Sequence, residues 1–158
     1  PPYALEPKPK GPMVTRHTLT EDKKRKTRIL IVEDNVVNQK VVQRILEKHG
    51  YRADIASNGK EAVELLNHLP YDIVFMDVQM PEMDGFEATK SIRSLSSNLL
   101  NRDVPIIAMT AHAFKEDRDQ CLNAGMNDYI AKPINPKSLT AMISKWSEAA
   151  DGRNAETR

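Results

Sequence analysis

The apolar residues of this chain fall into short continuous runs that each stop at a polar residue. Uninterrupted runs of this length predict strands buried on both faces, as in a parallel sheet that helices cover on either side. There are four such runs: 29–32 before Glu33-Asp34, 73–76 before Asp77, 106–109 before Thr110, and 129–131 before Lys132-Pro133. A fifth strand, outside these runs, is predicted at 52–56.

Between these runs the apolar residues follow helical spacing. Asn58 with Glu61, and Asp84 with Glu87, have the three-residue spacing of helix N-terminal caps. Further helices are predicted from about 114 to 124 and from Asn135-Pro136 onward. Five strands alternating with five helices predict an α/β domain with a five-stranded parallel sheet, doubly wound, with helices on both faces. In the first helix, 36–49, the face expected to be buried holds Val37, Val41, Val42, Ile45 and Leu46.

The length of 158 residues suits one domain with tails. Residues 1–26 hold seven Lys or Arg against three Asp or Glu, and five of the ten prolines fall in the first twelve positions. We therefore predict a flexible, proline-rich basic linker over 1–26, a folded domain over 27–148 and a polar tail over 149–158. The first residue is Pro1 rather than methionine, so a segment of a longer protein is expected.

Several functional classes are disfavoured by composition. The single cysteine excludes an internal disulfide framework and a cysteine-rich metal site. No apolar stretch approaches the roughly 18 residues that span a bilayer, and no signal peptide opens the chain, so a cytoplasmic domain without direct membrane contact is expected. The basic run 23–26 is interpreted as a solvated flank, and no nucleic-acid partner is expected.

The ends of the predicted strands carry the candidate chemistry. Ligands of doubly wound sheets bind beyond the carboxyl ends of the strands, so the carboxylates of Glu33, Asp34 and Asp77 should meet there with Thr110 and Lys132. Two carboxylates about 4 Å apart repel by about 4 kcal/mol at an effective dielectric constant of 20, so the group requires a proton or a cation. Oxygen ligands favour Mg²⁺ (or Mn²⁺) over zinc. A metal ion, a lysine and a hydroxyl around one carboxylate favour phosphoryl transfer onto it.

Four motifs occur in one order along the chain: Val32-Glu33-Asp34-Asn35, 76–85 with the sequence MDVQMPEMDG, Met109-Thr110-Ala111, and Lys132-Pro133. With these motifs, the segment from Thr27 to about Glu148 resembles a response-regulator receiver (CheY-like) domain. The amino-acid sequence of these motifs is most similar to that of the C-terminal receiver of a hybrid sensor histidine kinase. The resemblance implies a flavodoxin-like sheet and a two-component phosphorelay function.

The resemblance also implies the roles of individual residues. Asp77 is expected to accept a phosphoryl group from a phosphohistidine, after which the domain acts as a conformational switch or passes the group to a histidine phosphotransfer domain. Asp34, Asp77 and the backbone carbonyl of Gln79 are expected to hold Mg²⁺, with Glu33 acting directly or through a water molecule. Lys132 is expected to pair with the phosphoryl group.

Four further residues acquire roles from the resemblance. Thr110 and Tyr129 are expected to change orientation upon phosphorylation, and Gln79 and His112 to tune dephosphorylation. The peptide bond before Pro133 is expected to be cis.

The expected partners are a histidine kinase domain, in the same chain or another, and a histidine phosphotransfer domain. As an isolated domain, the chain is not expected to be an enzyme beyond assisting its own phosphorylation and dephosphorylation. Its parent is expected to be a hybrid histidine kinase, soluble or membrane-bound with this part in the cytoplasm.

Three alternatives compete with the phosphorelay hypothesis. A binding-only pseudo-receiver should lack Asp77, Lys132 or one of the paired acids, and none is missing. A Mg²⁺-dependent phosphohydrolase resembling haloacid dehalogenases should carry a second aspartate two residues after the nucleophile, where this chain has Gln79. A transcription factor should carry a DNA-binding module after the receiver, whereas only a polar segment follows Trp146.

Overall fold

A computed structural model describes residues 24, 26–94, 101–112 and 114–157, with side chains of the last helix described to residue 147. The predicted linker, 1–26, lies almost entirely outside the described residues. No helix in the described part is both long and apolar enough to cross a membrane. The complete elements of the described ranges are the strands β1 (Arg28–Val32), β2 (Arg52–Ala56), β3 (Ile73–Asp77), β4 (Ile106–Thr110) and β5 (Asp128–Ala131), and the helices α1 (Val36–Lys48), α2 (Gly59–His68), α3 (Gly85–Arg93), α4 (Lys115–Ala124) and α5 (Pro136–Thr157).

The five strands form one parallel sheet in the order β2-β1-β3-β4-β5. The predicted doubly wound α/β fold with a flavodoxin-like sheet is therefore confirmed. The register aligns Asp77 at the end of β3 with Met109 of β4, and Thr110 with Ala131 of β5. Because all strands run the same way, the polar residues that terminate them share one edge of the sheet.

The hydrophobic core consists of two layers, one on each face of the sheet. Successive residues of a strand point to opposite faces, so each apolar run contributes to both layers. One layer packs under α2, α3 and α4, and its members include Leu30, Val32, Leu66, Val74, Met76, Ile92 and Cys121. The other packs under α1 and α5, and its members include Ile29, Ile31, Leu46, Phe75, Met109, Leu139 and Ile143.

The predicted helix caps are present. The side chain of Asn58 accepts a hydrogen bond from the backbone N–H of Glu61 at 2.8 Å. Asp84 and Glu87 form a reciprocal capping box at the start of α3. Such caps satisfy backbone N–H groups that the first helical turn leaves unpaired, and the α3 cap fixes the chain a few residues after Asp77.

Two expectations about the helices differ from the structure. The prediction that Val37 and Val41 are buried is wrong: their exposed fractions are 68% and 45%. Helix α1 contacts the sheet through the stripe that contains Val42 and Leu46, and Val37 and Val41 lie on the adjacent stripe, which faces solvent. In addition, α5 continues to Thr157, so the segment expected to be a polar tail is helical over most of its length.

Candidate functional site

The acid pair Glu33-Asp34 lies directly after β1. The Glu33 side chain is buried, with 1% of the residue exposed, whereas Asp34 is exposed. Oε2 of Glu33 accepts a hydrogen bond from the backbone N–H of Asn35 at 3.2 Å, and Asn35 in turn caps α1. The turn from strand to helix therefore places one carboxylate under the loop and the other at its surface.

Asp77 ends the adjacent strand β3 and is only 3% exposed. Its Oδ1 accepts a hydrogen bond from the backbone N–H of Gln79 at 3.1 Å. Carboxylate oxygens of Glu33, Asp34 and Asp77 all lie within 4.8 Å of one another. The three acids predicted to meet at the sheet edge are therefore brought together.

Lys132 follows β5 and reaches across the sheet edge to these acids. Its Nζ lies 3.2 Å from Oε1 of Glu33 and 3.1 Å from Oδ2 of Asp77. Burial lowers the pKa of Lys132, but the charges and hydrogen bonds of Asp77 and Glu33 outweigh that effect and raise the pKa above its ordinary value. The ammonium group is therefore fully charged at neutral pH. The Lys132–Pro133 peptide is cis, as expected.

The donor chemistry of this cluster fits a hard divalent cation. Three carboxylates and one ammonium group leave two negative charges uncompensated within a few ångströms. The acids offer only oxygen atoms, the ligands that Mg²⁺ prefers, and Mg²⁺ is usually bound by one or two carboxylates together with phosphate oxygens and water. The exposed carboxylate of Asp34 leaves one side of the group open to solvent.

Thr110 ends β4, beside Asp77. Its hydroxyl donates a hydrogen bond to the backbone carbonyl of His112 at 2.9 Å and accepts one from the N–H of the same residue at 3.2 Å. Thr110, Gln79 and His112 line an open cleft of about 590 Å³ that extends between the loops after β3 and β4. The cleft therefore begins at the residues that directly follow Asp77.

Tyr129 and His112 lie on the α4 side of this region. The ring of Tyr129 is half-buried and lies 5.6 Å from the guanidinium group of Arg118 on α4, which donates a hydrogen bond of 3.4 Å to the tyrosine hydroxyl. The ring of exposed His112 stacks on Phe114 with centroids 5.8 Å apart. The contacts between Tyr129 and Arg118 thus join β5 to α4.

One residue of the site was not anticipated. The side-chain amide of Gln39 on α1 donates a hydrogen bond of 2.7 Å to the backbone carbonyl of Glu33. The same nitrogen lies 3.4 Å from the hydroxyl of Ser57 in the loop after β2. A glutamine in the second turn of a helix that directly follows two acids is a sequence signal for such a contact, but it does not specify the acceptor.

The chain is similar to known proteins over most of the described domain. The family model described as "Response regulator receiver domain" matches residues 29–144. Hybrid signal transduction histidine kinase B of Dictyostelium discoideum is 45% identical over 126 residues, which cover 75% of this chain and 6% of that protein. Sensor histidine kinase GacS of Pseudomonas protegens is 39% identical over 126 residues, covering 80% of this chain and 14% of that protein. The chain thus spans a small fraction of these relatives.

Two solved structures resemble this one. The receiver domain of sensor histidine kinase PA1611 from Pseudomonas aeruginosa, with a magnesium ion in its active site cleft, is 43% identical with a TM-score of 0.70, and the match covers 77% of this chain and 98% of that one. The receiver domain of Ssk1 from Saccharomyces cerevisiae, in complex with the histidine phosphotransfer protein Ypd1, is 37% identical with a TM-score of 0.71, covering 78% and 90%.

The family match covers well over half of the chain, and the three acids, Lys132 and the cleft lie within the matched residues. The chain therefore belongs to the response regulator receiver domain family of two-component signalling systems.

Proposed function

We propose that this receiver accepts a phosphoryl group from a phosphohistidine onto Asp77 in a Mg²⁺-dependent reaction. One observation carries the proposal: the buried carboxylate of Asp77 lies against the Lys132 ammonium group and within 4.8 Å of two further carboxylates. A carboxylate oxygen of Asp77 attacks phosphorus, the phosphorus–nitrogen bond of the donor breaks, and the released imidazole nitrogen takes a proton. Glu33 and Lys132 stay beside Asp77 throughout the transfer.

Electrostatics explain why each neighbour supports this transfer. Bound Mg²⁺, held by Asp34, Asp77 and the Gln79 carbonyl with Glu33 beside it, would supply positive charge against the phosphoryl oxygens. Lys132 is already cationic and close enough to pair with an oxygen of the new phosphoryl group. The hydroxyl of Thr110, which donates to the His112 carbonyl in this structure, turns to donate to the phosphoryl group. Tyr129 then follows, and Gln79 and His112 set how fast water removes the group.

The experiment is intact-mass analysis after incubation with acetyl phosphate, with and without Mg²⁺. We expect one phosphoryl adduct that requires Mg²⁺, is released by hydroxylamine and is absent from Asp77→Asn. Asp103→Asn, which changes an exposed aspartate outside the cluster, serves as the matched control and should be labelled like the wild type. If neither a phosphoryl adduct nor beryllofluoride binding is observed, the phosphoacceptor function is wrong and the domain is a binding module only.

We also propose that the phosphoryl donor or acceptor in trans is a histidine phosphotransfer domain, and that it docks on the exposed face of α1. Val36, Val37 and Val41 are large apolar residues with exposed fractions of 58%, 68% and 45%. They lie on the helix that begins one residue after the acid pair, so a partner that covers them brings a histidine close to Asp77. The Ssk1 receiver is bound to such a partner in its structure.

This surface is testable with phosphorylated Ypd1 as donor. Val37→Ser and Val41→Ser should slow transfer from Ypd1 several-fold, because a partner would lose apolar contact area. Labelling by acetyl phosphate should stay unchanged, because that small donor needs no docking surface. Leu122→Ser, an exposed leucine on α4, is the control for loss of apolar area elsewhere. Equal slowing in Leu122→Ser, or no slowing in the valine variants, would contradict the docking surface.

The wider setting is proposed from the relatives. Residues 27–148 form the receiver of a hybrid histidine kinase, preceded by the linker 1–26 and followed by 149–158. The receiver acts in the cytoplasm, where a kinase domain, in cis or in trans, supplies the phosphohistidine. The isolated domain is not an enzyme acting on a separate substrate, because the group it processes resides on its own Asp77.

A further inference from the structure

The peptide unit that joins the two acids of the site is held by a side chain. Strand β1 ends at Val32, and the backbone N–H of Glu33 makes a further bond across to the carbonyl of Ala56 at 3.0 Å. The carbonyl oxygen of Glu33 instead accepts a hydrogen bond of 2.7 Å from Nε2 of Gln39. This oxygen belongs to the peptide bond between Glu33 and Asp34.

That peptide bond joins the two residues whose carboxylates enter the cluster. The peptide group is planar, so the direction of its carbonyl oxygen fixes the whole plane. A change of ψ at Glu33 or of φ at Asp34 that the other angle does not compensate moves the two side chains relative to each other, and a change of ψ at Glu33 also redirects this carbonyl oxygen. A hydrogen bond to this one oxygen therefore constrains two acids of the cluster at once.

The position of the Gln39 side chain is itself restrained by the surrounding structure. It lies half-buried on α1, whose first turn is capped by Asn35 through a 3.0 Å bond from the N–H of Asn38. Its amide nitrogen also lies 3.4 Å from Oγ of Ser57, in the loop after β2. The amide therefore connects the helix, the acid-bearing loop and the neighbouring loop.

We infer that Gln39 is a positioning residue for the divalent-cation site, acting through the Glu33–Asp34 peptide rather than by touching the cation. The inference rests on the proposed Mg²⁺-dependent function. Groups that orient metal ligands from outside the ligand shell typically change metal affinity about 10–100-fold when they are removed. A purely structural role in anchoring α1 would instead lower the free energy of unfolding without a separate effect on cation affinity.

The test compares Gln39→Met with Gln43→Met in the complete chain. Methionine keeps an unbranched side chain and good helix propensity but cannot donate a hydrogen bond. Gln43 is half-buried one helical turn further along α1 and controls for the same change on the same helix. The dissociation constant of Mg²⁺ is measured by calorimetry and by amide chemical shifts, and stability is measured by urea unfolding without Mg²⁺.

We expect Gln39→Met to raise the dissociation constant of Mg²⁺ about tenfold and Gln43→Met to change it less than about twofold. In the metal-free protein the amide resonance of Asp34, which shares the peptide plane, should shift or broaden in Gln39→Met alone. Wild-type affinity in Gln39→Met, or a loss of affinity that Gln43→Met reproduces, would overturn the positioning role. Failure of the wild type to bind Mg²⁺ would instead remove the proposed function and this inference with it.

Discussion

The Nζ atom of Lys132 lies 3.1 Å from Oδ2 of Asp77, although β3, which ends at Asp77, and β5, which ends just before Lys132, are separated by β4. The same Nζ lies 3.2 Å from Oε1 of Glu33. The lysine therefore neutralises oxygens of the acids that are proposed to face Mg²⁺. A divalent cation must share these oxygens with an ammonium group that is already in place.

Replacement of Lys132 by methionine should therefore strengthen Mg²⁺ binding. Unit charges about 4 Å apart interact by about 4 kcal/mol at an effective dielectric constant of 20, and rearrangement and solvent reduce what is realised. We expect the dissociation constant of Mg²⁺ to fall about tenfold, a change of about 1.4 kcal/mol, as measured by calorimetry. Lys145→Met, which removes the lysine paired with Asp128 at 2.7 Å, should have no such effect. Weaker Mg²⁺ binding in Lys132→Met would contradict the competition.

Gly85 should not tolerate alanine, because its position at the start of α3 brings the chain against the phosphoacceptor strand. A Cβ atom there would collide with the backbone carbonyl oxygen of Asp77 and lie 2.8 Å from Cα of Val78. Both are backbone atoms, which cannot move aside without displacing Asp77. We expect Gly85→Ala to lower the free energy of unfolding by about 3 kcal/mol, measured by urea denaturation.

Gly59→Ala is the matched control, since this glycine also begins a helix. Its added Cβ would lie 2.9 Å from Cγ and Sδ of Met83 and 3.1 Å from Cβ of Ala88. The long side chain of Met83 is flexible enough to shift, and alanine has a higher helix propensity than glycine, by up to about 1 kcal/mol in a helix interior. The free energy of unfolding should therefore change little in Gly59→Ala. A loss in Gly59→Ala as large as that in Gly85→Ala would show that the two sites are equally crowded.

Much of the fold and of the acid cluster is predictable from the sequence, because buried parallel strands require uninterrupted apolar runs. The terminating residues Glu33, Asp34, Asp77 and Lys132 then meet for a topological reason that does not depend on details of packing. The caps at Asn58 and Asp84 are likewise local, since the donor and the acceptor lie three residues apart.

Other features depend on distant contacts and are not visible in the pattern. Helical spacing alone cannot decide which of two adjacent apolar stripes faces the sheet, so Val37 was assigned wrongly. Asn101 lies in a polar segment, yet it is 2% exposed and its amide nitrogen donates to the carbonyls of Leu66 and Leu69. The hydrogen bond from Gln39 to the backbone carbonyl of Glu33 was also not predictable, because every residue has a backbone carbonyl and the sequence does not show which one is contacted.

The loop after Asp77 contains a residue with a strained backbone, Glu82, and the effect of this strain on the free energy of unfolding can be measured. Glu82 has a positive φ of 69°, and the N–H of Met83 donates to the carbonyl of Pro81 at 2.8 Å, which closes a γ-turn around it. Glycine adopts positive φ without the steric penalty of a Cβ. We expect Glu82→Gly to raise the free energy of unfolding by about 0.5–1 kcal/mol. Glu82→Ala keeps the Cβ and should leave stability nearly unchanged, so an equal gain in both variants would assign the effect to the lost charge.

Tyr71 should make the protein lose stability in alkali. Its hydroxyl donates a hydrogen bond of 2.7 Å to Oδ2 of Asp54, and the residue is only 7% exposed. Burial, followed by the hydrogen bond to Asp54 and the negative charge of Asp54, raises the pKa of Tyr71 above its ordinary value. The folded state therefore retains a proton that the unfolded state releases from about pH 10 upward.

The sign of the pH dependence follows from linkage. Where the unfolded state binds fewer protons than the folded state, the free energy of unfolding falls as pH rises. Tyr71→Phe should cost about 1–2 kcal/mol at neutral pH, because the hydrogen bond to Asp54 is lost. Above about pH 10 the stability that the Tyr71 hydroxyl provides should be lost from the wild type, so the difference in the free energy of unfolding between the two proteins should shrink.

Lys132, whose pKa is also raised, is present in both proteins, so its contribution cancels in the comparison. Urea unfolding of both proteins from about pH 7 to pH 11 measures the difference, and a gap that stays constant or widens would show that the hydroxyl of Tyr71 does not hold its proton in the folded state.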